Sequence, residues 1–522
     1  MKPGQVDLGT APGPWLPPTP PARTSQLRRH LRRWLAPDLA LAAAAITFLY
    51  ALLLFDGPSK LFRDSDTGWH IRTGELILTT HRLPHADPYS FTKPGAPWFA
   101  WEWLSDVLMG AVHQGAGPAG VVLLYLCAIA LCTWLWFRLT WILEGDFLLA
   151  CLLASPMLST VNLHWLARPH VLSWVFLLAW IGTLERAPVR FRIGHAAAIA
   201  CVSTVWTNVH ASFFLLPALA LLYGVCFAAT GQRPARWFFL AAAAGAAGSL
   251  CNPYGLQLHR HLAAYLSNGA LLARIGEFQT FNFHSEGSLQ ILLTVALCAI
   301  GGTLALTQRR LHHFLLLYGF LFLALRSARA LPVLALLLPF ANRSIRDALA
   351  ELPAVTPALR YSANLRRLEL GFRGWFWAPL IVGVAFVVLQ APTVRARTGF
   401  PRDQFPVQAA ARLDELVPAE ARILAPDKFG GYLIYRFEGR RKVFFDGRSD
   451  FYGLDFLNSY IDMVQVRPGW ERLVSSYRPT HALLPVNYSL VSVLPGLGWR
   501  ELYRDSTAVL LAAPGSGISG GY

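Results

Sequence analysis

Charge is scarce in this chain. Asp, Glu, Lys and Arg together make up 15% of its 522 residues, where a water-soluble protein carries about 25%. A string of soluble domains is therefore excluded as its main architecture. Cysteine is sparse as well: the seven (127, 132, 151, 201, 226, 251 and 298) lie in or beside apolar stretches, none follows position 298, and no two form a Cys-x-x-Cys pair. That argues against a disulfide framework and a cysteine-ligated zinc site. The glycine pair Gly430-Gly431 is no phosphate-binding loop, because no GxxxxGK[ST] pattern surrounds it. Acids number only 30 against 46 basic residues, a net charge of +16. The basic residues stand between apolar runs and form no aromatic-interleaved patch, so no nucleic-acid partner is expected.

What the chain has instead is apolar length, with 54% hydrophobic residues and 18 Trp. A Pro- and Arg-rich tail (1–37) precedes a first apolar run at 39–55, which continues into Asp56-Gly57-Pro58 with no small-residue cleavage site and reads as an uncleaved span. Further runs lie at 118–137, 147–160, 171–184, 195–207, 213–229, 237–250, 288–306, 311–325, 330–341 and 375–391. Several fall short of the roughly 20 residues of a full span. Counting Lys and Arg in alternate short loops places the N-terminus in the cytoplasm. Arg138, the group Arg186, Arg190 and Arg192, then Arg233, Arg236, Arg309, Arg310, Arg343 and Arg346 all fall on one side. About eleven spans then put residues 56–117 and everything beyond about 392 outside. From about 400 to 514 the composition becomes that of a small α/β unit, with an amphipathic stretch (Val407, Ala410, Leu413) and strand-like runs at 422–425, 442–445 and 481–485. A Gly- and Ser-rich tail, 515–522, reads as disordered. The expected fold is mainly α: a polytopic transmembrane bundle (38–392) followed by a C-terminal α/β domain.

Polar residues outside the spans are few, so each invites a reading. Asp64 and Asp66 stand just beyond the first span, where a carboxylate can act as general base or bind a divalent cation; a solvated loop in which Asp66 caps a helix at 67–78 explains them equally. His70 follows them. Glu102 sits among Trp98, Trp101 and Trp103, aromatics that suit an interfacial belt or the face of a sugar. His164, Arg168 and His170, then Asn208 and His210, occupy connections on the side of Asp64 if the topology holds, where ionisable groups are costly and suspect. Asn208 serves as well in a cap or an interhelical hydrogen bond. Arg326 and Arg329 lie on the wrong side for the positive-inside rule. An arginine fork matches a phosphate, and snorkelling to headgroups is the alternative. Asp446 and Arg448 follow a strand-like run and read first as a turn with an internal ion pair.

These features in this order resemble a known group: a basic N-terminus, one span, Asp64-Ser65-Asp66 with Gly68-Trp69-His70, Asp87-Pro88-Tyr89-Ser90, Glu102-Trp103-Leu104, and a tail with Gly430-Gly431-Tyr432-Leu433 and Asp446-Gly447-Arg448. The chain resembles bacterial integral-membrane glycosyltransferases of the GT-C class, protein mannosyltransferase-like and RgtA/B/C/D-like, over most of 35–512. The resemblance implies a polyprenyl-phosphate-linked sugar donor, a membrane-lipid environment in the bacterial inner membrane, and a catalytic acid in the first outer loop, at Asp64 or Asp66. By position and chemistry, Asp64 and Asp66 are also the residues expected to hold Mg2+ or Mn2+ where a metal is used, and His70, Glu102, His164, Arg168, His170, Asn208, His210, Arg326 and Arg329 are the expected substrate contacts. Ser65 separates the two acids here, whereas the mannosyltransferase pattern has adjacent Asp and Glu. A transporter or flippase, and a non-catalytic assembly or sensory protein, are the alternatives from other classes.

Overall fold

Apolar runs with few helix breakers become helices, and the computed structural model, which describes residues 34–54 and 56–515, has one at each expected position. The terminal tails expected at 1–37 and 515–522 lie outside those residues except for their inner edges. The first helix is α1 (Leu39–Leu53); α2 (Asp66–Thr80) follows in the long first loop, and α3 runs from Trp103 to Ile142 (Trp103–Ile142). Helix α3 kinks at Gly117, whose φ of 61° an L side chain rarely adopts, immediately before Pro118, which has no N–H to donate. Then come α4 (Phe147–Val161), α5 (Pro169–Glu185), α6 (Ile193–Val209), α7 (Leu215–Thr230), α8 (Arg236–Ser249), α9 (Leu256–Ser267), α10 (Ser288–Thr307) and α11 (Leu311–Arg326).

The run expected as one span at 330–341 is instead broken at Leu337 into α12 (Leu331–Leu336) and α13 (Leu338–Ala350). Pro339 cannot donate back into α12, so the helix stops and restarts with proline in its first turn. Helix α14 (Trp377–Gln390) completes the bundle. Among the described residues, four helical stretches are long and apolar enough to cross a membrane by themselves: Trp103–Ile142, Phe147–His164, Ala211–Thr230 and Ser288–Thr307. Five shorter apolar helices accompany them.

The bundle buries one large apolar cluster and gathers its polar residues at two ends. At one end Arg138 pairs with Asp38 at 2.5 Å, Arg310 with Asp347 at 2.5 Å, and Asn342 Oδ1 accepts the Asp146 N–H at 2.7 Å. At the other, Lys60 Nζ donates to Asn162 Oδ1 at 2.5 Å, Thr67 to the Ala167 carbonyl at 3.1 Å, and Trp103 Nε1 to Asn208 Oδ1 at 2.6 Å.

The C-terminal unit has a four-stranded sheet in the order β1-β2-β4-β3, with β1 (Ile423–Leu424) parallel to β2 (His481–Pro485) and β3 (Arg500–Arg504) and β4 (Ala508–Ala512) antiparallel to their neighbours. The β3–β4 hairpin has no counterpart in the sequence reading. Its turn is held by Asp505 Oδ1, which accepts from Thr507 and Ala508 N–H at 2.7 and 2.8 Å. The expected strand at 442–445 is a single bridging segment: Val443 pairs with Ile423 on one side and with Ser90 of the first loop on the other. The first loop is thereby stitched to the sheet, with Phe91 N–H donating to Val443 O at 3.0 Å and Val443 N–H to Tyr89 O at 2.9 Å. Buried Arg448 adds a pair to Asp87 at 2.8 Å and closes on Asp446 at 2.7 Å, the internal ion pair expected from sequence.

Candidate active site

Close helix contacts set the geometry of this region, and glycines allow them. A Cβ on Gly68 of α2 would strike the Gly431 carbonyl of α15 (Asp427–Arg436), and a Cβ on Gly431 would strike the Ser65 carbonyl. The Gly430-Gly431 pair is thus a crossing point. It seats the C-terminal unit directly on Asp64-Ser65-Asp66. A Cβ on Gly74 would likewise collide with the Asp106 carbonyl, and one on Gly110 with the backbone of Gly74 and Glu75, so α2 and α3 run in backbone contact. That contact brings His70 Nδ1 to 2.6 Å from Asp106 Oδ1.

Between the first loop, the α5 and α6 connections and the C-terminal unit lies a cavity of about 440 Å3. Of the residues singled out in the sequence, Asp64, Asp66, Glu102, Arg168, His210 and Arg329 line it. Arg168 is its hub. The two Nη atoms lie 2.9 Å from Asp64 Oδ2 and 2.8 Å from Asp66 Oδ2, and Nη1 also reaches Glu277 Oε1 at 2.9 Å. Arg329 approaches the other Glu277 oxygen at 3.4 Å and lies over the Phe278 ring at 5.1 Å. Asp64 Oδ1 accepts the Asp66 N–H at 2.9 Å, so Asp64, not Asp66, shapes the start of α2. Asp66 is only 6% exposed. Its pKa is pushed up to about 7 by burial, with Arg168 opposing and Asp64 and Glu277 adding to the rise.

Glu102 faces His210 Nε2 at 3.5 Å and His70 Nε2 at 3.8 Å. His210 Nδ1 accepts the Ser212 N–H at 3.1 Å, so in the neutral ring the proton sits on Nε2, toward Glu102. Burial, reinforced by Arg329 and Arg168, lowers the His210 pKa to about 3 and keeps the ring neutral. Burial also raises Glu102 to about 7, against the pull of Arg168 and Arg329.

Five residues singled out in the sequence do not line the cavity. His70 is fully buried behind Glu102 and held by Asp106, so it orients rather than contacts. His170 Nε2 is committed to the His164 carbonyl at 2.9 Å, and the two rings brace the turn before α5. Asn208 spends its amide on Trp103 and on the Thr204 and Cys251 carbonyls. Arg326 is exposed on the last turn of α11, where the chain reverses before Arg329 comes round to the cavity. Sequence reasoning in turn missed Glu277, Asp427 and Asp450, all on the cavity wall. Asp450 pairs with His261 at 3.1 Å, whose ring stacks on Phe99 at 4.8 Å. Glu277 is one of only two acids between 251 and 287, the one signal that could have marked it.

A divalent cation does not fit the Asp64–Asp66 pair as arranged here. The Arg168 guanidinium lies between both carboxylates, where a bridging cation would have to sit. Among the described residues the one group of three or more side chains with metal-ligand spacing, Glu185, His312 and His313, is elsewhere.

No family model matches the chain, and no curated protein does. Among solved structures it is similar to the apo oligosaccharyltransferase of Archaeoglobus fulgidus, with a TM-score of 0.56 at 12% identity, covering 85% of this chain and 69% of that one. Matches to ArnT from Cupriavidus metallidurans have TM-scores of 0.47 in the apo state (14% identity; 91% and 97% covered) and 0.46 bound to undecaprenyl phosphate (16% identity; 95% and 99% covered). The chain shares its fold with that oligosaccharyltransferase.

Proposed function

We propose that this protein is an inverting glycosyltransferase that moves a sugar from a polyprenyl-phosphate-linked donor to an acceptor hydroxyl at the outer face of a bacterial inner membrane. The single observation that carries the reading is the cavity, where acids and arginines from the first loop, the helix connections and the C-terminal unit converge at one end of an apolar bundle. Eleven spans with a cytoplasmic N-terminus, a membrane domain over 38–392 and an outer domain over 400–514 are part of the proposal. Contacts between connections expected on the same side support them: Arg138 with Asp38, Lys60 with Asn162, and Trp103 with Asn208.

Three carboxylates (Asp64, Asp66, Glu277) face two guanidiniums (Arg168, Arg329), an excess of one negative charge. Asp66, pushed up to about 7, is the group poised to take a proton near neutral pH. In the proposed step the acceptor oxygen gives its proton to Asp66 and bonds to the anomeric carbon. The bond from that carbon to the phosphate oxygen breaks, and the electron pair leaves with the lipid phosphate. One displacement inverts the centre. Arg329, which no acid other than Glu277 pairs with among the described residues, turns its guanidinium to the departing phosphate. Arg168 holds Asp64 and Asp66 in register throughout, and no step runs through a metal. An oligosaccharyltransferase with the same fold supports a sugar-transfer role. Purified protein in lipid is to be given radiolabelled polyprenyl-phosphate sugars and membrane-glycan acceptors; transfer that falls steeply in Asp66→Asn supports the reading. Substrate flux without covalent change would make the protein a transporter instead.

A further inference from the structure

At the end of the bundle remote from the cavity, three side chains converge that the proposed transfer does not use. Glu185 closes α5, and His312 and His313 open α11. Arg168 and Glu185 flank the 17-residue α5, so at 1.5 Å per residue the two places are about 25 Å apart. His313 Nε2 lies 3.3 Å and His312 Nε2 3.8 Å from the same oxygen, Glu185 Oε1. All three side chains are nearly enclosed, at 12%, 9% and 5% exposure for Glu185, His312 and His313.

Consecutive residues on a helix point about 100° apart, so two adjacent imidazoles seldom aim at one atom. Here their rings meet at 4.2 Å between centroids. Each is wedged from outside, His312 against Phe227 at 4.7 Å and His313 against Phe340 at 4.6 Å. Glu185 Oε1 already accepts the Tyr223 hydroxyl at 2.6 Å, and at 3.8 Å the His312 nitrogen is beyond hydrogen-bond reach. The hydrogen bond between His313 Nε2 and Glu185 Oε1 at 3.3 Å therefore does not account for the convergence of His312 as well. Metal coordination does: a tetrahedral zinc with bonds of about 2.0–2.1 Å sets its ligand atoms about 3.3 Å apart. Two imidazoles and a carboxylate are the donor set zinc takes, with a fourth position left for water. Tyr223 then holds the liganding carboxylate in place as an outer-shell donor. Arg233, the nearest cation on the adjoining segment, directs Nη1 and Nη2 at the Glu185 and Ala187 carbonyls, 3.3 and 2.5 Å away, not at the carboxylate.

We infer that Glu185, His312 and His313 form a zinc site that ties the end of α5 to the start of α11, independently of the transfer reaction. The full-length protein in detergent, equilibrated with Zn2+ and desalted, is expected to retain one zinc per chain by elemental analysis. Glu185→Gln and His313→Gln are expected to weaken retention at least about tenfold. Equal retention in wild type and both variants, or none in wild type, overturns the inference. Because the variants could misfold, Co2+ is added to the wild type as well. Intense visible bands of tetrahedral coordination support the site, and the weak spectrum of the hexaaqua ion refutes it.

Discussion

The burial of Asp66 makes a measurable prediction about pH. A base works when deprotonated, so activity should rise with pH through the pKa of the group. With Asp66 at about 7, the ionised fraction is about 9% at pH 6 and about 91% at pH 8, a tenfold rise in kcat/KM. An aspartate with the ordinary value of about 3.9 would be more than about 99% ionised at both, and the profile would be flat. The assay is the initial rate of sugar transfer in proteoliposomes across pH 5.5–8.5 at constant ionic strength. Asp66→Asn should cost about a hundredfold to ten-thousandfold, the usual contribution of a positioned base, and its residual activity should lose the slope. Glu102 is pushed to about 7 too, so Glu102→Gln is the discriminating control: it should leave the tenfold slope in place. A flat wild-type profile refutes the reasoning. So does a slope that survives in Asp66→Asn and vanishes in Glu102→Gln, which would move the base to Glu102.

Three further expectations test the scaffold. Gly431→Ala places a methyl group against the Ser65 carbonyl; overpacking of this kind costs about 1–3 kcal/mol, so thermal unfolding should come earlier and transfer should fall as the C-terminal unit backs away from Asp66. Arg168→Met leaves Asp64, Asp66 and Glu277 without their shared cation, and breaking a buried pair from one side costs about 3–5 kcal/mol; denaturation should show a loss larger than that for Gly431→Ala. Arg329→Ala removes a side chain that is 32% exposed and held by one 3.4 Å ion pair and the Phe278 ring face, so Tm should hold while KM for the lipid-phosphate donor rises, as donor titration would show.

Much of the bundle was legible in the sequence, because an apolar run long enough to cross or nearly cross a membrane leaves its backbone no alternative to a helix. Helix positions and the α/β composition after 400 follow from local chemistry. The break at Leu337 was hidden among apolar neighbours. The β3–β4 hairpin was missed because its exposed first strand, Arg500–Arg504, carries too many polar residues to alternate cleanly.

The site itself needed the tertiary structure. Nothing local distinguishes Asn208, whose hydrogen bonds are all spent in packing, from His210, which faces the cavity two residues later. Glu277 and Asp450 acquire meaning only because chain segments far apart in sequence meet there. The Gly430-Gly431 pair, which no sequence motif marks, is a helix crossing, since what a glycine permits depends on what approaches it. Sequence alone determined where helices form, because hydrophobicity and backbone hydrogen bonding act over a few residues. Which charges share a cavity, and therefore which acid is left with an unneutralised proton site, was decided by the fold, because burial and Coulomb interactions depend on distances that only the folded chain defines.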